Sequence, residues 1–182
     1  MYIGHPPSNP FFTARTTIKR SVFLSYHHGG DQEYYNEFTR VFHDEYEAVR
    51  DNSLERRIDS DNVDYVIQRI RDTFIHGTSC TIVLCGAETW KRKYIDWEIK
   101  ATLDKQHGLI GVQLPTLLPG SANTVHVPDR LKDNINSGFA MWVNWAWFTA
   151  SIQNVKSTIE QSVPKPASLI VNNRQMMGRN LS

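Results

Sequence analysis

The apolar run "SCTIVLC", residues 79–85, is bounded by Gly77 and Gly86. A strand that reads this way is buried on both faces, and such strands belong to parallel sheets covered by helices. "GLIGVQL" (108–114), closed by Pro115, has the same character. Parallel neighbours cannot be joined by a hairpin, so a crossover helix must stand between successive strands.

The rest of the chain supplies those helices and further strands. "SVFLSY" (21–26) is a short strand, and "FAMWVNW" (139–145) is the last one. From 31 to 50, Tyr34, Phe38, Val41, Phe42, Tyr46 and Val49 recur at helical spacing, with Asp31 as a candidate cap. A second helix follows a cap at Ser60 or Asp61 and buries Val63, Val66, Ile67, Ile70 and Phe74. A third carries Ile95, Ile99 and Leu103 inward, and residues 148–163 form the terminal helix. "NSLERRIDSDN" (52–62) is the least legible stretch; a short edge strand is placed near Arg57–Ile58. Residues 115–138 read as a proline- and glycine-bearing connection.

This alternation predicts an α/β fold: a doubly wound, mostly parallel five-stranded sheet with helices on both faces, binding ligands beyond the carboxyl ends of its strands. One domain spans 19–163. "HPPSNP" makes residues 1–18 an arm, and residues 164–182 are expected to be a poorly ordered tail.

Charge narrows the function classes. Twenty basic residues face nineteen acidic ones, and no Lys/Arg run of the kind that tracks a phosphate backbone occurs. Neither nucleic acid nor an anionic membrane is an expected partner. No apolar stretch is long enough to span a bilayer, and the first twenty residues lack the apolar block of a signal peptide. Cys80 and Cys85 lie an odd number of positions apart on one strand, so they face opposite ways and cannot pair. Buried free thiols suggest a reducing compartment, hence a cytoplasmic protein. His27 and His28 are adjacent and diverge, so no metal is expected.

Two segments at the ligand-binding edge hold polar groups. In "YIDWEIKATLDK" (94–105), Glu98 is one residue, about 100 degrees, from Ile99, and therefore borders the buried face. Tyr94 stacks one turn below it. By pattern alone two readings stay open for Glu98: a solvated or ion-paired helix-flank charge, and a carboxylate gripping a sugar. In "SYHHGGD" (25–31), Ser25 and Tyr26 end the first strand before a glycine-bearing helix start. Free N–H groups there suit an anion such as a pyrophosphate, while a tight turn capped by Asp31 is the simpler alternative. Trp90 and Trp97 are candidates for base stacking, Trp97 also for the core. Trp142, Trp145 and Trp147 read as core and a self-association surface.

"RSVFLSYHHGGD", "YVIQRIRDTF", "TIVLCGAETWKRKYIDWEIKAT" and "GLIGVQL" together resemble the TIR-like domain of the ThsB family, the TIR component of bacterial Thoeris antiphage systems. The resemblance covers roughly residues 19–162, most specifically Thr81 to Ala101. It implies a TIR/flavodoxin-like fold and an enzyme that cleaves NAD, as substrate rather than cofactor, between nicotinamide and ribose. Glu98 matches the family's catalytic glutamate. Tyr94 stands where many catalytic TIR domains carry a tryptophan. By position and by the match to the family's first strand, Ser25 and Tyr26 lie near the nucleotide, with Asp31 and Trp90 as further candidates. The implied product is a cyclic ADP-ribose isomer, a diffusible signal to a separate effector. The resemblance also implies possible homo-oligomers, since catalytic TIR domains often assemble to complete their sites. Two other classes are compatible with the fold: a non-catalytic TIR-like interaction module, and a nucleoside deoxyribosyltransferase-like enzyme.

Overall fold

The computed structural model describes residues 20–42, 49–50, 62–120 and 123–182. The arm 1–18 and the edge strand expected near Arg57–Ile58 lie outside the described residues. Four parallel strands form the sheet: β1 (Val22–Ser25), β3 (Cys80–Cys85), β4 (Gly108–Gln113) and β5 (Met141–Asn144). A two-residue segment, β2 (Val49–Arg50), pairs in parallel along the free edge of β1, giving the order β2-β1-β3-β4-β5. The expectation of a fifth strand rests on this short pairing alone. It also corrects the helix drawn over 31–50, because Val49 lies in a ladder opposite Val22.

Every β1 and β3 residue is buried, as two-sided coverage requires. Val22, Leu24, Cys80, Ile82 and Leu84 pack on one face against Phe38 and Phe42 of α1 (His28–Phe42), Phe148 of α5 (Trp145–Thr149), and Val155 and Ile159 of α6 (Ile152–Ser162). The other face splits into two clusters. Phe23 meets Val66, Ile67 and Ile70 of α2 (Val63–Arg69 and its π-helical continuation Ile70–Ile75), together with Trp97 of α3 (Lys93–Asp104). Val83 and Cys85 meet Ile95, Ile99 and Leu103 of α3, and Leu131 of α4 (Asp129–Asn136). Cys80 and Cys85 are free thiols in clusters on opposite faces, as strand alternation requires.

Several local expectations are corrected. α1 begins at His28 rather than after Asp31, and it buries Asp31, Tyr35, Phe38 and Phe42 while Val41 is exposed. α2 is capped by Asn62, whose side chain accepts the Tyr65 N–H. The last strand stops at Asn144, because the Asn144 side chain accepts the Trp147 N–H and starts a helix there. The single helix expected over 148–163 is two, since the Ser151 hydroxyl accepts the Asn154 N–H and starts α6. α4 occupies part of what reads as an irregular connection.

The largest correction is at the C-terminus. Residues 164–182 do not hang free but run as a strap across α4 and α3. Asn134 exchanges two hydrogen bonds with the Val171 backbone, at 2.7 and 3.0 Å. Trp97 Nε1 donates to Met177 O at 2.8 Å, and Asn180 Oδ1 accepts the Lys93 N–H at 2.9 Å, capping the start of α3. Polar side chains that look like a solvated tail in the sequence are partners for backbone and buried charge.

A candidate active site at the β1–β3 crevice

The chain leaves β1 to build one side of the sheet and returns through β3 to build the other. The crevice above the β1 and β3 carboxyl ends is therefore the topological switch point, where doubly wound sheets bind ligands. Glu98 is brought there by a buried bond lower in the fold. The Thr81 and Thr102 hydroxyls lie 2.6 Å apart, which fixes the height of α3 over β3. Glu98 is one turn before Thr102, ~6 Å nearer the carboxyl edge. That is the level of Val83, two residues and ~7 Å beyond Thr81, and Val83 is in register with Ser25. Phe23 faces the α2–α3 layer, so Ser25, two residues on, faces it too.

Glu98 is 4% exposed and Ser25 1% exposed. Ser25 Oγ has no hydrogen-bond partner among the described residues. A second buried donor in the same state is Nε of Arg92, the residue that precedes α3. Its Nη2 lies 3.5 Å from Glu88 Oε2. Buried donors without acceptors are rare in native proteins and mark places where a ligand can supply the acceptor. Arg92 was not singled out in the sequence. The signal for it is the run of three basic residues in "WKRK", placed between a buried strand and a helix.

Tyr94 sits one turn before Glu98 and is partly buried against the same cluster as Phe23; its ring meets Trp97 edge-on at 5.3 Å. Trp97 is core, as one of its two readings has it. Tyr26 goes elsewhere. It packs on the opposite face of the sheet, stacked on Tyr35 at 4.5 Å, with its hydroxyl 3.1 Å from Gln32 Oε1.

Asp31 is a buried brace rather than a helix cap. Its Oδ2 accepts from the Thr89 hydroxyl at 3.0 Å, and that hydroxyl accepts the Gly86 N–H at 2.8 Å. A Cβ on Gly86 would fall 2.0 Å from Asp31 Oδ1, so only glycine allows this approach. Burial pushes the Asp31 carboxyl up to about 6, against the lowering effects of the Thr89 hydroxyl, the His27 backbone and the Arg92 charge. Asp31 thus ties the start of α1 to the loop that carries Arg92.

Trp90 lies on the far flank of α3. Its Nε1 donates to Ala87 O at 3.1 Å, its ring lies 5.0 Å from His126, and it lines a cavity beside Asp96. Asp96 is two residues, about 200 degrees, from Glu98. The structure therefore brings Glu98, Ser25 and Tyr94 to one flank, with Arg92 above, and separates Trp90 and Tyr26 from them.

A family model described as the Thoeris protein ThsB, TIR-like domain, matches residues 23–118, just over half of the chain and every element of this crevice. The chain belongs to the ThsB TIR-like family. No curated protein matches it. In this ThsB-family chain α4, β5, α5, α6 and the strap lie beyond the matched stretch. Among its described residues, no three His, Cys, Asp or Glu side chains converge as metal ligands, and no helix is long and apolar enough to cross a membrane.

Proposed function

We propose that this chain cleaves the bond between nicotinamide and ribose in NAD and closes the remaining ADP-ribose into a cyclic signal for bacterial antiphage defence. The observation that carries this reading is the position of Glu98. It is a buried carboxylate on α3, level with the Ser25 hydroxyl, which has no hydrogen-bond partner among the described residues, at the switch-point crevice of a ThsB-family domain.

One carboxylate is enough for the first step. Nicotinamide in NAD is a cationic pyridinium, so the electron pair of the C1′–N bond passes to the ring nitrogen and neutral nicotinamide leaves without an acid. The ribose becomes an oxocarbenium ion. Glu98 is the fixed anion facing that charge, and burial strengthens its field. Ser25 Oγ and Arg92 Nε are donors for ribose and phosphate oxygens. Cyclisation then needs a hydroxyl of the same nucleotide to attack C1′, its proton passing to Glu98. Exclusion of water favours this over hydrolysis. NAD is consumed, and the effector is reached through the diffusible product.

Lysates of infected cells expressing wild type or Glu98→Gln, given NAD and followed by mass spectrometry, test the reading. Nicotinamide and a cyclic ADP-ribose species are expected from wild type, with a loss of about 10²–10³-fold in the variant, the scale for removing one preorganised electrostatic group. Equal product profiles from equally folded proteins would refute it and make the domain an interaction module.

A further inference from the structure

The strap forms one wall of an open cavity of about 340 Å³ on the flank of α3 that faces away from Glu98. Its walls include Trp90 from the turn before α3, His126 from the segment before α4, and Asp129, Arg174 and Arg179 from α4 and the strap; Glu98, Ser25 and Tyr94 do not line it. The volume is within the range of small-ligand sites. It suits a mononucleotide better than a whole dinucleotide.

The wall chemistry selects a ligand class. The two carboxylates at the cavity are already engaged: Asp96 is bound by Arg130 at 2.9 Å and by the Met177 N–H at 3.0 Å, and Asp129 lies 3.3 Å from Arg174 Nη1, while Nε and Nη2 of the same guanidinium hold Asp133. Arg179 has no ion-pair partner among the described residues and is exposed at the cavity mouth. Arg179 is thus the lining cation left free to meet an anion among the described residues. Beside it, the Trp90 and His126 rings, 5.0 Å apart and tilted by 55°, offer an aromatic wall held in place by the Trp90–Ala87 bond. An anion next to an aromatic wall is the recognition pattern of a phosphate attached to a base.

We propose that this cavity is a second ligand site, separate from the Glu98 crevice, which takes a mononucleotide: its base lies against Trp90 and His126 and its phosphate on Arg179. The site joins the strap to the start of α3, so occupancy holds together the two elements that frame the helix bearing Glu98. It does not depend on the domain being an NAD-cleaving enzyme.

Calorimetric titration of the full chain with AMP, adenosine and inorganic phosphate tests this. AMP is expected to bind most tightly, with each fragment at least roughly tenfold weaker, because each makes only half of the contacts. Arg179→Ala should weaken AMP by roughly tenfold or more, the scale of a charge-assisted contact, and leave adenosine unchanged. Trp90→Leu should weaken both. Glu98→Gln should bind AMP like wild type. The proposal is overturned if AMP fails to bind at ~5 mM, if Arg179→Ala binds it unchanged, or if Glu98→Gln abolishes binding and so moves the ligand to the crevice. Phosphate binding as tightly as AMP would also overturn it, as an anion site only. Should Trp90→Leu fail to fold, Arg179→Ala still decides, since its side chain projects from the exposed strap.

Discussion

Replacing Arg130 by Met keeps most of the side-chain volume and removes one buried charge. Arg130 is 0% exposed. Nε and Nη2 donate to Asp96 at 2.9 and 3.4 Å, Nη1 to Asn172 Oδ1 at 2.8 Å, and Nη2 to the Arg174 and Gln175 carbonyls at 3.1 and 3.4 Å. Without the guanidinium, Asp96, itself 5% exposed, keeps the Met177 N–H and loses its counter-charge. Breaking a buried pair in this way costs ~3–5 kcal/mol. The strap carbonyls add little, because they lie near the surface and rehydrate. Such a loss is a large part of the ~5–15 kcal/mol total stability of a domain. Urea unfolding followed by far-ultraviolet circular dichroism measures it. The dependence on urea should also become shallower, because a released strap exposes surface before the main transition. Asp96→Asn combined with Arg130→Met leaves no buried charge and should recover ~2 kcal/mol relative to Arg130→Met alone. An Arg130→Met cost below ~1 kcal/mol, or a double variant as unstable as the sum of the singles, would refute the assignment of this pair as the strap's anchor.

Three other outcomes are expected. Asp31 is raised from an ordinary 3.8 to about 6 by burial, so the folded state holds its proton more tightly than the unfolded one. The stability this confers is full below the unfolded value and is lost as pH rises through about 6. The difference is worth at most ~3 kcal/mol. Urea melts from pH 4.5 to 8 should show that fall, and Asp31→Asn, which still accepts from Thr89, should flatten it. Thr102→Val leaves the buried Thr81 hydroxyl without its partner and should cost ~1–3 kcal/mol in the same assay, whereas Thr81→Val with Thr102→Val should be closer to neutral; equal costs would argue against the shared bond. Gly86→Ala forces a shift of the Asp31 carboxylate and should cost ~1–3 kcal/mol, with an unchanged urea midpoint as the contrary result.

Much of the fold is legible in the sequence because it is written at short range. The β3 and β4 runs are apolar enough to demand helices on both sides. The stripe Ile95, Ile99 and Leu103 fixes which face of α3 meets the sheet, and in the structure all three join the Val83 cluster. The errors lie where side chains cap the backbone. Asn144 and Ser151 each start a helix by accepting one N–H, a signal too small to stand out against the apolar pattern around it. The stripe read for α1 holds at Phe38 and Phe42 and fails at Val41, which is apolar and fits the helical period but is exposed.

The candidate site was legible in part. Glu98, Tyr94 and Ser25 follow from a period of 3.6, a period of 2 and the edge to which strands and helices deliver their ends. Their convergence depends on the height of α3, which the Thr81–Thr102 bond sets between residues 21 positions apart. Position at the strand end and the match to the family's first strand place Tyr26 beside Ser25, but alternation along a strand sends adjacent residues to opposite faces.

The sequence by itself determined the four long strands of a parallel sheet, the apolar face of α3, and a carboxylate bordering that face, since propensity and periodicity act within a few residues. Only the tertiary structure decided which flank of α3 each aromatic occupies, that Arg130 is buried against Asp96, and that residues 164–182 form a strap lining a second cavity. Those contacts join groups 34 to 81 positions apart, such as Arg130 with Asp96 and Met177 with Asp96. The chain between them leaves no local pattern, because a polar side chain that will meet a buried partner looks the same in sequence as one that will meet water.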